Sequence, residues 1–200
     1  MKKLYFFLFF VFGSIIAFAQ VSVTATAGVN GPTIYASLQE TTVAINNGIH
    51  QGDIIISIGG NVIETLSPTF VQSGTGAATY TSITIRPAAG TAATVTGNIS
   101  GPLLDFIGAD NVNIDGLNNG GSSLVFSNTS LTGPASCIRF TEGATNNNIQ
   151  NCSLLSAAPS TVSGTIFFAG SSTTGNSNNN IRNNQIADAT TGTPANAIYA

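Results

Sequence analysis

The sequence predicts an all-β chain wound as a parallel β-helix: a solenoid of three short strands per coil, with a short capping α-helix near its N-terminal end. Three observations carry that expectation. An Asn-rich phrase recurs as NNNIQNCSLL at Asn146–Leu155 and NNNIRNNQIA at Asn178–Ala187, with NVNIDGL at Asn111–Leu117 as a further copy. In this alignment Ile114, Ile149 and Ile181 coincide at steps of 35 and 32. Apolar-x-apolar triplets form a second column: Leu104/Phe106, Ile138/Phe140 and Ile166/Phe168 stand at steps of 34 and 28, and Ile198 follows Ile166 by 32. The residues between the columns are Thr, Asn, Gly and isolated β-branched residues. They lack the 3.6-residue apolar period and charged faces of helical repeats, and the L-x-x-L-x-L spacing of leucine-rich repeats is absent. Short strands alone would also permit a β-sandwich; the recurring steps favour the solenoid.

The chain opens with Lys2 and Lys3, an apolar run from Leu4 to Phe18, and the small-x-small group Ala17-Phe18-Ala19. That is the layout of a secretory signal peptide over residues 1–19, and the run is short of the ~20 apolar residues of a spanning helix. Cleavage before Gln20 removes both lysines. The mature chain then carries three basic residues, Arg86, Arg139 and Arg182, against eight acidic ones, so 3 − 8 = −5. Such a chain has no basic stripe for a phosphate backbone, which argues against nucleic acid as a partner. No membrane span is expected after cleavage, and the expected location is secreted or cell-surface.

Residues 20–34 read as an N-terminal polar segment and residues 35–200 as the β-helix. SLQETTVAINNG is the one convincing helix: Ser37 and Glu40 stand in the S-x-x-E capping relation, Leu38, Thr42 and Ile45 share a face, and Asn46-Asn47-Gly48 end it. DIIISI (Asp53–Ile58), SITIRP (Ser82–Pro87), ATVTG (Ala93–Gly97) and LLDFIG (Leu103–Gly108) are runs of β-branched and apolar residues that read as strands. Two residues after each aligned isoleucine stands Gly116, Asn151 or Asn183, the types that enter the left-handed backbone region at least cost. These three are expected to form a structural bend in each coil. Inward Ile then stacks on Ile about 4.8 Å away, Asn pairs with Asn, and the neighbours Asp115, Gln150 and Arg182 point outward and are free to vary. The chain stops at ANAIYA, where Ile198 opens another strand without a polar cap, so the solenoid is expected to be truncated there.

The phrases SLQETTVAINNGIHQGDIIISIGGNVIET, YTSITIRPAAGTAATVTG, GADNVNIDGL and TNNNIQNCSLL resemble the start of large exported surface proteins of Bacteroidetes-type bacteria, over Gly31 to Ala187. The resemblance implies a right-handed parallel β-helix of the pectate-lyase-like class. It also implies adhesion-type modules and a C-terminal type IX secretion sorting domain further along the chain, neither of which follows within these 200 residues.

Chemistry is sparse. His50 is the single histidine and reads as a satisfied turn residue, because one histidine does not build a zinc site. No serine lies in G-x-S-x-G, and the mature chain has no lysine for Schiff-base chemistry. Asn111–Gly116 mimics the first half of a calcium loop, but the twelfth position is Ser122 and the first is Asn, so calcium remains an alternative on an incomplete ligand set; no other metal or cofactor is expected. Cys137 and Cys152 fit two small buried hydrophobes, and a disulfide between them stays open. The outward positions of one strand column run Asp105, Arg139, Phe167, Tyr199. Rings that stack on sugars and polar groups that bond hydroxyls make this a candidate ligand-binding strip; an Asp–Arg surface pair beside an aromatic ladder accounts for the same residues. The expected function is a non-catalytic adhesin or structural stalk, with extracellular polysaccharide or cell-surface glycan as partner. The alternative is a polysaccharide lyase or glycoside hydrolase working on the outer face. The strip supplies one carboxylate, where glycoside hydrolysis uses two about 5–9 Å apart.

Overall fold

The computed structural model describes residues 20–170 and 175–200, so the expected signal peptide lies outside the described residues. Alternating β-branched residues fold as strands because successive side chains point to opposite faces, one inward and one to solvent. Strand β1 (Val21–Gly28), β2 (Thr33–Tyr35) and helix α1 (Leu38–Asn46) come first. The coils follow as β3 (His50–Ile58), β4 (Asn61–Glu64), β5 (Thr69–Val71); β6 (Tyr80–Pro87), β7 (Ala92–Gly97), β8 (Pro102–Ile107); and β9 (Val112–Asp115), β10 (Ser123–Asn128), β11 (Ser136–Thr141). Two more sets are β12 (Asn148–Gln150), β13 (Ser153–Ser156), β14 (Ile166–Phe168), then β15 (Asn180–Arg182), β16 (Gln185–Asp188), β17 (Ile198–Tyr199). Every third strand pairs in parallel with its counterpart, giving three sheets: A (β15-β12-β9-β6-β3-β1-β2), B (β16-β13-β10-β7-β4) and C (β17-β14-β11-β8-β5). This is the parallel β-helix the repeats predict.

The columns match residue for residue. Ile114 pairs with Ile149 and Ile149 with Ile181; upstream the same column continues through Ile85 to Ile56. In sheet B the inward column is Val62, Val95, Phe126, Leu154, Ile186. In sheet C, Leu104, Ile138, Ile166 and Ile198 align, and beside them Phe70, Phe106, Phe140 and Phe168 stack with ring centroids 5.5, 5.1 and 4.9 Å apart. The three inner faces meet in one core along the axis.

Residues 20–34 are more than a polar segment. β1 pairs antiparallel with β2 on one side and with β3 on the other, and Val21 and Val23 are fully buried. The pair covers the edge that β3 would otherwise present unpaired. Helix α1 closes this end of the core with Leu38 and Ile45, both fully buried. Ser37 Oγ accepts the Glu40 N–H at 3.1 Å, as the capping relation requires, while the Glu40 carboxylate accepts from Ala36 rather than Ser37. A second cap comes from outside the helix: the buried Glu64 carboxylate accepts the N–H groups of Leu38 (2.7 Å) and Gln39 (3.2 Å). Burial raises the pKa of Glu64, against the lowering effect of these two bonds.

The bends need one correction. Asn151 and Asn183 take φ of 56° and 53°, as expected, but Gly116 does not have positive φ; Leu117 (59°) and Asn118 (48°) do. Gly116 is required for a different reason. A Cβ there would overlap the carbonyl oxygen of Asn151 in the next coil. A second left-handed column lies three residues before each isoleucine, at Asn111, Asn146 and Asn178 (58°, 57° and 58°). From β9 onward, Asn therefore turns the chain both into and out of sheet A.

Cys137 is fully buried and Cys152 is 3% exposed, and both are free thiols. Cys137 donates towards the carbonyl of Phe126, and Cys152 towards that of Gln150. Burial pushes both thiols up, Cys152 to about 12, so the reactive thiolate is suppressed. An aromatic disulfide reagent at pH 8 is expected to titrate no thiol in the native protein and two in guanidinium. A denatured count of zero would reveal a disulfide, and rapid native reaction would show that the core opens there.

Candidate functional site

Sheet C places the four outward residues of the strip in one line. β8 carries Asp105, β11 Arg139, β14 Phe167 and β17 Tyr199, and the register pairs Asp105 with Arg139, Arg139 with Phe167, and Phe167 with Tyr199. Their neighbours Leu104, Phe106, Ile138 and Phe140 are fully buried, so the two-residue period turns this column away from the core.

The line divides into two chemically distinct halves. Arg139 Nε donates to Asp105 Oδ1 at 2.9 Å and Nη2 to Oδ2 at 2.6 Å, a two-pronged ion pair across adjacent coils. Asp105 is only 5% exposed although it faces away from the core. The hydrogen bonds to Asp105 raise the pKa of Arg139 further. Beyond this pair Phe167 and Tyr199 meet edge to face, with centroids 5.7 Å apart and planes at 64°, and both rings are half-buried. The geometry offers partly exposed aromatic surface and a phenol at one end. It offers no free carboxylate there, because both oxygens of Asp105 are engaged.

The outer face of sheet A holds a polar line that the sequence left as variable positions. Gln150 Nε2 donates to Asp115 Oδ2 (2.7 Å), and Arg182 Nε donates to Gln150 Oε1 (2.7 Å). Asp115 Oδ1 also accepts from Asn151 Nδ2 (2.8 Å) and from the N–H of Leu117 (2.9 Å). Partial burial opposes ionisation of Asp115, but these donors and the Arg182 charge outweigh it and lower its pKa. The steps of 35 and 32 that align the isoleucines also align these three side chains, so the signal was present; only their mutual bonding was not legible. Next to them Asn148 Nδ2 donates to Asn113 Oδ1 at 2.6 Å, and in the turn Asn147 donates to Asn179 Oδ1 at 3.0 Å, the expected Asn ladder.

The remaining candidates are structural in their bonding. His50 is fully buried; its Nδ1 donates to the Val29 carbonyl at 2.6 Å and its Nε2 lies 2.7 Å from Tyr35 Oη, so both ring nitrogens have partners. Val112–Asp115, within the calcium-like phrase, is an extended strand rather than a loop folded round an ion. Among the described residues no group of three His, Cys, Asp or Glu side chains is placed to hold a metal, and no helix is long and apolar enough to cross a membrane. Comparison with protein-family models, curated proteins and solved structures finds no match.

Proposed function

We propose that this chain is a non-catalytic secreted or cell-surface protein whose solenoid acts as a rigid stalk or adhesive surface for extracellular polysaccharide. One observation carries the reading: on the sheet C strip the carboxylate is nearly buried and held by both oxygens, while the aromatic pair beside it stays accessible. A general acid or nucleophile needs a carboxylate free to approach the scissile bond. A binding strip needs partly exposed rings, whose faces cover the C–H surface of a sugar, and nearby groups that bond hydroxyls. The stacked register supports the stalk role, since each coil is fixed to the next by three strand pairings. The leader-like N-terminus and the resemblance to exported surface proteins support the location.

The test is a glycan-array screen followed by incubation of each hit with and without calcium, scored for new reducing ends or unsaturated products. Binding without product is the expected result. Phe167→Ala with Tyr199→Ala is expected to weaken it by about 1–2 kcal/mol, roughly tenfold in Kd. Product formation from any hit would overturn the non-catalytic reading.

A further inference from the structure

The corner between sheets A and B changes character along the axis. Two residues, Gly59 and Gly60, join β3 to β4; Ala88–Thr91 joins β6 to β7; and Gly116–Ser122 joins β9 to β10. The next two corners shrink again to Asn151-Cys152 and Asn183-Asn184. The two longer loops are tied together, since Ser122 Oγ accepts the Gly90 N–H at 2.9 Å. Where the seven-residue loop gives way to the tight bends lies a notch of about 120 Å³.

Six neutral polar side chains rim the notch: Asn118, Ser123, Asn151, Ser153, Asn183 and Gln185. Leu124 and Cys152, almost wholly buried, form its floor. Asn151 Nδ2 is committed to Asp115, and Ser153 Oγ donates to Gln185 Oε1. The side-chain amides of Asn118 and Asn183, the Ser123 hydroxyl and Gln185 Nε2 make no hydrogen bond to the described residues. Formal charge is absent from the rim, and the nearby Asp115 and Arg182 are linked through Gln150.

We infer that this notch is a carbohydrate-binding site, separate from the sheet C strip, for an uncharged, hydroxyl-rich glycan chain lying along the solenoid axis. An amide offers a donor and an acceptor, as does each sugar hydroxyl, so an amide rim complements vicinal hydroxyls without requiring a charged ligand. The volume equals that of about four waters, enough for the edge of one sugar ring. Asn118, Asn151 and Asn183 belong to successive coils, which spreads the rim over about 10 Å of the axis at ~4.8 Å per coil. A second depression, of about 250 Å³, is lined by Ser57, Arg86, Pro87, Ala88, Ala89 and Leu117. Consecutive residues Leu117 and Asn118 line one depression each, so the two succeed one another along the corner. Two sites in line suit an extended chain better than a lone monosaccharide, and the Arg86 guanidinium in the second, a pure donor, bonds sugar hydroxyl oxygens without requiring an anionic ligand. The inference rests on the reading that the solenoid binds glycans; it adds where and of which charge.

The experiment is affinity electrophoresis of the purified protein in gels containing dextran, xylan or galactomannan, with polygalacturonate as the charged comparison. Asn118→Gly with Asn183→Gly removes two amides while keeping the left-handed backbone; Ser123→Ala with Gln185→Ala is a second, conformation-neutral pair. Thermal melts check that each variant is folded. The expected result is retardation by a neutral polysaccharide that either pair weakens roughly tenfold, the loss of two hydrogen bonds. Retardation lost with Phe167→Ala and Tyr199→Ala but unchanged by both corner pairs would overturn this site and leave the proposed function standing. Retardation by polygalacturonate alone, abolished by salt, would overturn the neutral-ligand assignment. Retardation by none of the four would overturn this site and the glycan-binding part of the proposed function together, leaving the stalk role alone.

Discussion

Phe106→Ala is expected to destabilise the protein by about 3–5 kcal/mol, the range for removing a large aromatic from a packed core. Phe106 is fully buried and lies between Phe70 (5.5 Å) and Phe140 (5.1 Å), with interplanar angles of 24° and 22°. Alanine would empty a site with neighbours both above and below. In a solenoid each coil contacts only its neighbours, so the vacancy weakens two interfaces at once and stability falls as a nearest-neighbour sum. Collapse cannot heal the site readily, because the flanking backbones are held at a fixed spacing by their ladder hydrogen bonds. Phe168→Ala supplies the contrast. That ring is half-buried and stacks on Phe140 from one side, so its loss should cost less than half as much. Denaturant melts of both variants check the ordering; equal losses would show that the stack does not act coil by coil.

The second large effect is expected at Asn128, which ends β10 and is fully buried. Its Oδ1 accepts the N–H groups of Ile99 (3.1 Å) and Ser130 (3.3 Å). Its Nδ2, with two hydrogens, lies within bonding distance of three carbonyls, those of Ile99 (3.0 Å), Gly101 (2.9 Å) and Ser136 (2.9 Å), so one hydrogen is shared between two acceptors. One side chain thus satisfies backbone groups on two coils. Asn128→Ala would leave them buried without partners, at about 1–3 kcal/mol per group, reduced where water enters the space; a net loss of about 3–5 kcal/mol follows. Asn128→Asp is expected to be no better at neutral pH, since it keeps the acceptor but presents an anion to three carbonyl oxygens. A melt in which the Asp variant matches wild type would show that the acceptor alone matters.

Much of the architecture was legible because it is repetitive. A stacked coil writes its inward positions at a nearly constant step, so Ile114, Ile149 and Ile181 gave the register of sheet A and the Leu/Phe and Ile/Phe triplets that of sheet C. The earlier members of the column, Ile56 and Ile85, carry no Asn-rich phrase, because Gly59-Gly60 and Ala88–Thr91 replace the Asn bend there. The outward strip Asp105, Arg139, Phe167, Tyr199 followed from the two-residue period once the triplets were placed.

What the amino-acid order determined by itself, then, is the local and periodic part: strand alternation, coil length, the capped helix, and the side of each strand that faces the core. The tertiary structure decided what depends on groups from different coils meeting. It made Gly116 a point of close approach rather than a left-handed bend, since the Asn151 carbonyl that excludes a Cβ lies 35 residues away. It turned Val21–Gly28 into an antiparallel cover for β3, closed Asp105 beneath Arg139, set Glu64 on the N-terminus of α1, and cut the corner notch where a seven-residue loop gives way to two-residue bends. The physical reason is range. Backbone preference and hydrophobic period act between near neighbours and leave a mark in the sequence, whereas a clash, an ion pair or a cavity exists only once the coils are stacked.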